Sequence, residues 1–519
     1  MNIEMVSVRK IVEIIFVVAF MAEFCLNKRE SGTVSDTKKI EAEKEYVKLY
    51  QRFLNEEGSQ GYNIDVEGIS NSELERFRGQ TYLDYTGSGL YQKSQLEEIY
   101  SDFIKNAYGN AHSRNPSAEL TDKNLAEARD LIYSFFNISS TTHSIVFTGG
   151  ATGGLKLVGE DFPWTKGSKY YYLRVNHNSV LGIREYATLF GAEFKALSYN
   201  DVEQILFRRK KSKVNNHLVN ELLNHKYEDY CLFAFPGKDN FAGEKYPLNW
   251  IKDVQNYGLS DNCEWRVLLD AAALVPTERL DMNKHPADFA VVSFYKLFGY
   301  PTGLGALIIK TDDALKLKKT YFGGGAVVMA SCDSRWCKMR ENPSAKFEDG
   351  TVSFLSIVSL KYGFKKLEYF GMEKISKHVA SLTLFTFKLL SNLRHFSGTN
   401  VVQFYGMYHT LPSSGIINFN ILYPDGTHVN FSQIEQLASA NKIHLRTGCF
   451  CNPGACQDFL GLTLMEIKTT SEIRESCSDP SNNINQKRPL GSVRISFGYL
   501  STFRDVYNFI RFVNDNFVH

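Results

Sequence analysis

The chain has 519 residues, of which 43% are hydrophobic and 22% charged, with 59 Lys and Arg set against 57 Asp and Glu. That composition excludes a disordered chain, and the charge balance gives no electrostatic case for nucleic acid or an anionic surface as partner. Nine cysteines without dense spacing exclude a small secreted disulfide scaffold.

Near the start, Arg9 and Lys10 precede an apolar run at 14–22 that is bracketed by Glu13 and Glu23. The run is too short to span a bilayer as a helix, and no small-x-small cleavage site follows it. It is expected to be a disposable or membrane-associating extension, with a cleaved signal as the alternative. Residues 30–67 are charged and helix-prone, with polar breaks around 57–61. Residues 1–66 are therefore expected to form an N-terminal extension and linker.

From about 80 to 320, helical patterns alternate with β-rich runs. Leu125, Ala128, Leu131, Ile132, Phe135 and Phe136 fall at helical spacing over 124–136. Strands are predicted at 144–147, 170–175, 230–235, 265–269 and 289–293, which implies an α/β region with a largely parallel sheet covered on both faces. After about 350, helical stretches at 352–367 and 375–393 lead to strands at 416–422 and 492–497 and a closing helix at 502–517. This reads as a smaller α+β domain. The expected division is a segment 67–100 joining the small domain, a large domain 101–345, and a small domain 346–519. The polar run 476–487 reads as a surface loop.

Motifs that carry chemistry sit at the ends of the predicted strands. Phe147-Thr148-Gly149-Gly150-Ala151-Thr152-Gly153-Gly154 runs from a strand through glycines into a helix start, where free N–H groups and the helix dipole suit a phosphate. Asp270 ends the run Val267–Leu269, where it can hold a protonated ring nitrogen or, alternatively, cap a helix. Lys296 follows the next apolar strand, where an amine can form a Schiff base.

Six cysteines, at 25, 231, 263, 332, 337 and 477, read as ordinary buried thiols. The run Arg446-Thr447-Gly448-Cys449-Phe450-Cys451-Asn452-Pro453-Gly454-Ala455-Cys456 is different, because Arg446 favours a reactive thiolate nearby. A zinc site using these cysteines and His444 is the rival, although Cys-x-Cys spacing is unusual for a closed structural site.

These motifs resemble the aminotransferase-like domain of molybdenum cofactor sulfurases, relatives of the cysteine desulfurases. The resemblance runs from about residue 82 to the C-terminus through YLDYTGSGL (82–90), YGNAHS (108–113), VFTGGATGGLKLVGEDFPW (146–164), NHNSVLGIREYA (176–187), FPGKDNFAG (235–243), LLDAAA (268–273), SFYKLFGYPTGLGAL (293–307), FGGGAV (322–327), LRTGCFCNPGACQ (445–457) and GSVRISFGY (491–499). It implies a pyridoxal 5'-phosphate (PLP) transferase of fold type I. Lys296 then carries the cofactor, Asp270 partners its ring nitrogen, and His177 stacks on the ring. Asn240 hydrogen-bonds the ring hydroxyl. Thr152 and Ser293 hold the phosphate with backbone N–H groups of Gly150 and Ala151. Arg494 clamps the substrate carboxylate.

The R-x-G-x-x-C loop of cysteine desulfurases, started at Arg446, selects Cys451 as the sulfur acceptor; Cys449 and Cys456 are left as relays or structural residues. The resemblance further implies L-cysteine as substrate, alanine as product, and a persulfide passed to molybdenum cofactor or another sulfur-acceptor protein, with no metal of its own. It also implies a homodimer, and sulfur chemistry on a thiol favours the reducing cytoplasm. Two features depart from the family. Tyr85-Thr86 follow YLD where a histidine and a small residue are usual, and the sequence ends at His519, before the family's acceptor-binding region. The alternatives are a general cysteine desulfurase for another acceptor, an aminotransferase, and a non-catalytic protein on the same fold.

Overall fold

The computed structural model describes residues 34–57, 61–62, 64–215, 229–406, 414–472 and 488–519. The runs 14–22 and 476–487 and the residues Cys25 and Cys477 lie outside these. The chain divides into two compact units, Met1–Gly58 and Ser59–His519. In the first, the helix-prone composition forms a helix, Val34–Glu57, with Arg52 Nε donating to Glu56 Oε1 one turn on. Among the described residues no helix is long and apolar enough to cross a membrane.

The second unit is built on a seven-stranded sheet. Its strands are β1 (His143–Thr148), β2 (Lys169–Leu173), β3 (Glu193–Leu197), β4 (Tyr230–Pro236), β5 (Glu264–Asp270), β6 (Phe289–Ser293) and β7 (Gly305–Lys310). They lie in the order β1-β7-β6-β5-β4-β2-β3, and only β7 runs antiparallel to its neighbours. Every residue of β6 is buried, because both sheet faces are covered; this is why such strands read as unbroken apolar runs. One covering layer packs Leu155, Val158 and Ile183 against Val291 and Leu307. The edge strand β3 has mostly exposed residues and carries no such run, so it escaped prediction.

The helix predicted over 124–136 begins earlier, at Pro116. Asn115 caps it by accepting from the Ala118 N–H, and Pro116 occupies the first turn, where its missing N–H is harmless. This helix is locked to β1 by one carboxylate. Glu348 accepts from Arg129 Nη2 with both oxygens, at 2.8 and 2.7 Å, and from the Phe147 N–H at 2.8 Å. Since β1 lies at the sheet edge, that outward N–H has no strand partner and needs this acceptor.

A four-stranded antiparallel sheet follows, with β8 (Val402–Tyr405), β9 (Ile416–Ile421), β10 (Arg446–Gly448) and β11 (Ser492–Ser496) in the order β8-β9-β11-β10. Helices Phe354–Phe370, Met372–Asn392 and Phe503–Phe517 accompany it. Lys238, in the loop after β4, links the regions of the two sheets. Its Nζ donates to Thr277 Oγ1 at 2.6 Å and to the Ser414 carbonyl, just ahead of β9, at 2.8 Å.

Two cysteine expectations need correction. Cys231 and Cys263 are not free thiols but a disulfide with a Cα–Cα distance of 5.9 Å. Parallel pairing sets Cys231 opposite Trp265, two positions beyond Cys263, a proximity that sequence spacing does not disclose. Cys332 is exposed rather than buried, and Cys337 is half-buried, both on the hairpin formed by Val327–Ala330 and Cys337–Met339.

Replacing Glu348 by Ala strands a largely buried guanidinium and an edge N–H. We expect a loss of about 3 kcal/mol in urea denaturation; an unchanged midpoint would contradict the role of the carboxylate. Lys238 gives a pH signature. Burial pulls its pKa from 10.5 to about 7, so between those values the unfolded chain binds the extra proton and rising pH stabilises the fold through this group. Wild-type stability is therefore expected to climb relative to Lys238→Met from pH 7 to 9, by at most about 1.4 kcal/mol per pH unit. A stability gap independent of pH would refute this.

Candidate active site

The parallel strands all present their carboxyl ends to one edge of the large sheet, the usual place for ligands in such sheets. There Asp270 closes β5, Ser293 closes β6, His177 and Asn240 follow β2 and β4, and the Gly150 turn follows β1. Lys296 lies in the short helix Phe294–Phe298, directly after β6. A cleft is lined by Ala151, Thr152, His177, Asn240, Asp270, Ser293 and Lys296. Seven of the sequence-predicted residues thus meet in one space.

The charges there are set by burial. Burial lowers the pKa of Lys296; Asp270 opposes that shift, while the Arg494 and Arg446 charges add to it. The amine is accordingly more available as a neutral nucleophile or base than an ordinary lysine. Burial also lowers the pKa of His177. Its Nδ1 accepts from the Ser179 N–H at 3.1 Å, which leaves Nε2 to carry the proton of the neutral ring. Asp270 is buried, with Oδ1 accepting from the Ala272 N–H at 2.9 Å.

The phosphate candidates form a small cradle. Gly150 sits at φ 104°, a conformation that favours glycine, ahead of the helix Ala151–Asp161. The Ala151 N–H donates to Ser293 Oγ at 2.9 Å, and the hydroxyls of Thr152 and Ser179 lie 2.8 Å apart. Space is tight behind the turn, since a Cβ on Gly305 would come within 2.6 Å of the Gly150 Cα. Hydroxyls and N–H groups at a helix start suit a phosphate, a carboxylate suits a protonated ring nitrogen, and the lysine amine suits an aldehyde. These residues fit PLP.

The Cys451 loop is tied to the cleft residue Asn240 from the side of the other sheet. It lies between β10 and the helix Pro453–Leu460, and both Phe450 and Cys451 adopt left-handed backbone, φ 54° and 56°. Such geometry in two successive non-glycine residues persists only where the surroundings enforce it. Here the Phe450 carbonyl accepts from Asn240 Nδ2 at 2.7 Å, and the Cys451 carbonyl accepts from the Asn178 N–H at 2.7 Å. Asn452 caps the following helix and donates from Nδ2 to the Val175 carbonyl at 2.8 Å. A disulfide between Cys449 and Cys456 closes the loop on itself, leaving Cys451 free and half-buried. That pairing removes two thiolates from the rival zinc set, and His444 instead contacts Gln80 Oε1 at 2.8 Å.

Two predicted residues have other engagements. Asn240 keeps its side chain in the cleft but commits both ends to the cysteine loop, since Oδ1 also accepts from Asn452 Nδ2 at 3.1 Å. Arg494 does not line the cleft. It is 1% exposed, stacks over the Phe450 ring at 4.7 Å, and donates to the Asn240 carbonyl at 2.8 Å and to Asp84 Oδ1 at 2.7 Å. Sequence reading passed over Lys238, which lines both the cleft and an adjoining pocket that also borders Lys296. It passed over Asp84 and Asn452 as well. All three lie inside motifs already singled out, and only their burial and partners mark them.

The aminotransferase class-V family model matches residues 81–509. A molybdenum cofactor sulfurase of Arabidopsis thaliana is 42% identical over 87% of this chain, and one of Homo sapiens is 39% identical over 86%. The chain spans only 58% and 51% of those relatives' lengths. Among solved structures, an apo cysteine desulfurase of Thermococcus onnurineus NA1 matches with a TM-score of 0.69 at 20% identity, over 87% of this chain and 98% of that one. The cysteine desulfurase CsdA of Escherichia coli, in S-sulfonic acid form, gives 0.65 at 18% identity, over 88% and 98%. The α/β architecture is the one those enzymes share, and with its family model covering most of the sequence the chain belongs to the class-V aminotransferases.

Proposed function

We propose that the chain is a PLP-dependent cysteine desulfurase that forms a persulfide on Cys451 from L-cysteine, releases alanine, and passes the sulfur to molybdenum cofactor. The observation that carries this reading is the tie between the Cys451 loop and the Lys296 cleft through Asn240 and Asn178. An aminotransferase has no use for a thiol held in that position.

Bound in the cleft, PLP supplies an aldehyde for the substrate amine and a ring that accepts the electrons left at the substrate's α-carbon. Lys296 would hold the cofactor's aldehyde and would serve as the base for the substrate α-proton, a task suited to an amine whose pKa burial has lowered. Asp270 would hold the protonated ring nitrogen, and the neutral His177 ring would stack on the cofactor ring. Ser293, Thr152 and the N–H groups after Gly150 would hold the phosphate. Cys451 Sγ attacks the substrate sulfur; an S–S bond forms, the substrate C–S bond breaks, and its electron pair and a proton end on the carbon that becomes the alanine methyl group. The loop's ties to Asn178 and Asn240 aim the thiol.

Molybdenum cofactor as acceptor rests on the names of relatives at about 40% identity. A general desulfurase serving another acceptor is the second reading, favoured by the near-complete coverage of two cysteine desulfurases. Transfer of labelled sulfur from Cys451 to desulfo molybdenum cofactor, rather than to other thiols alone, separates the two. A homodimer fits the apolar surface of the hairpin at 327–339, where Val328, Met329 and Trp336 are exposed.

Lys296→Ala is expected to lose the visible absorbance of the bound aldehyde and to slow alanine release from L-cysteine by about 10³-fold or more. Cys451→Ala is expected to keep the absorbance and lose alanine release; undiminished release would remove the persulfide step. Gly454→Ala tests the loop's placement. A Cβ there would lie 2.0 Å from the Arg174 carbonyl, so the helix Pro453–Leu460 must shift and carry Cys451 with it. Alanine release should fall at least tenfold while cofactor absorbance stays, in line with the penalty for about an ångström of misplacement. Full activity would show that the thiol is not held by this contact.

A further inference from the structure

Arg494 has an unfinished set of contacts. Its Nη1 donates to the Asn240 carbonyl and its Nη2 to Asp84 Oδ1, but Nε is buried with no acceptor. In a guanidinium, Nε and Nη2 form one of the edges that a carboxylate grips with both oxygens. Asp84 therefore holds that edge by one oxygen only. Its side chain is 22% exposed, against 2% for Arg494, so it can withdraw toward solvent.

The local charge leaves room for a second anion. Arg446 is the cross-strand partner of Arg494 and is exposed, and its charge acts on Arg494, Lys296 and His177 alike. Asp84 is thus the carboxylate on Arg494, whose cross-strand neighbour is a second guanidinium, and all three charges act on Lys296. The Asp84 backbone stays fixed by a parallel bridge to Ser496, two residues from Arg494, so only the side chain has to turn.

Building on the desulfurase reading, we propose that Asp84 is an internal stand-in for the substrate's carboxylate, yielding the Nε–Nη2 edge of Arg494 when an α-amino acid enters and thereby setting the affinity for carboxylate-bearing substrates. A permanent structural ion pair is the competing account, and the two differ in sign. With PLP bound, Asp84→Asn is expected to lower the KM for L-cysteine by roughly two- to fivefold, the span of a partly exposed ion pair. The dissociation constant of cysteamine, which lacks the carboxylate, should stay unchanged. An equal or higher KM for L-cysteine overturns the proposal.

The second measurement uses the wild-type holoenzyme in a crystal with L-alanine. Its carboxylate should occupy Nε and Nη2 of Arg494 with Asp84 turned away; an intact Asp84–Arg494 contact overturns the proposal, and this result decides the matter if Asp84→Asn does not fold. Should the wild type release no alanine from L-cysteine, the desulfurase reading fails, and the alanine complex alone rules on Asp84.

Discussion

Asn240 donates to the Phe450 carbonyl, accepts from Asn452, and offers its own carbonyl to Arg494. One residue after β4 thereby fixes the cysteine loop, the cap of the helix behind it, and the arginine of β11. Phe450 and Cys451 stand in left-handed backbone that non-glycine residues adopt at a cost of about 1–2 kcal/mol each. The bonds to Asn240 and Asn178 and the Cys449–Cys456 disulfide offset that cost. Without them the loop would relax, and Cys451 would lose its fixed relation to the cleft.

Burial gives the site its second constraint. Lys296, Lys238 and Arg494 are cations withdrawn from water, and in each case burial is the largest cause of a lowered pKa. The nearby carboxylates, Asp270 and Asp84, offset this only in part, and the exposed Arg446 works against them at Lys296. Net positive potential in a partly dry cleft makes the lysine amine easier to deprotonate and attracts ligands with phosphate and carboxylate groups. One charge pattern thus serves both cofactor retention and nucleophile activation.

The large sheet was legible where burial leaves a mark on residue type. The unbroken apolar runs of β4, β5 and β6 announced themselves, and so did Asp270 and Lys296 at their ends, because a charge that terminates such a run stands at the sheet edge. β3 lacked the run and went unseen, and β7 was missed although it carries a buried apolar run of its own. The start of the helix at Pro116 was written in Asn115 and Pro116, but the apolar spacing further along drew the boundary too late. The Cys231–Cys263 pair depends on which strands lie side by side, and local pattern does not encode that. Lys238 looks like any solvated lysine, and Arg494 like a free clamp, until their neighbours are known. Asn240 was found for its place near the cofactor, while its larger engagement with residues 450 and 452 is a contact across more than two hundred positions of sequence.

The division of labour between the sheets follows from the same geometry. Every candidate cofactor contact comes from the strand ends, loops and helix starts at the carboxyl edge of the large sheet, whose faces are both covered. The thiol and the candidate carboxylate clamp come instead from β10, β11 and the turn at 84, around a small antiparallel sheet. Asn240, Asn178 and Lys238 are among the points at which the large sheet's loops grip the other set of elements. Cofactor retention and sulfur handling are therefore separable in this fold. A change confined to the small sheet can move the thiol while leaving the cofactor cleft intact, whereas a change at Asn240 touches both.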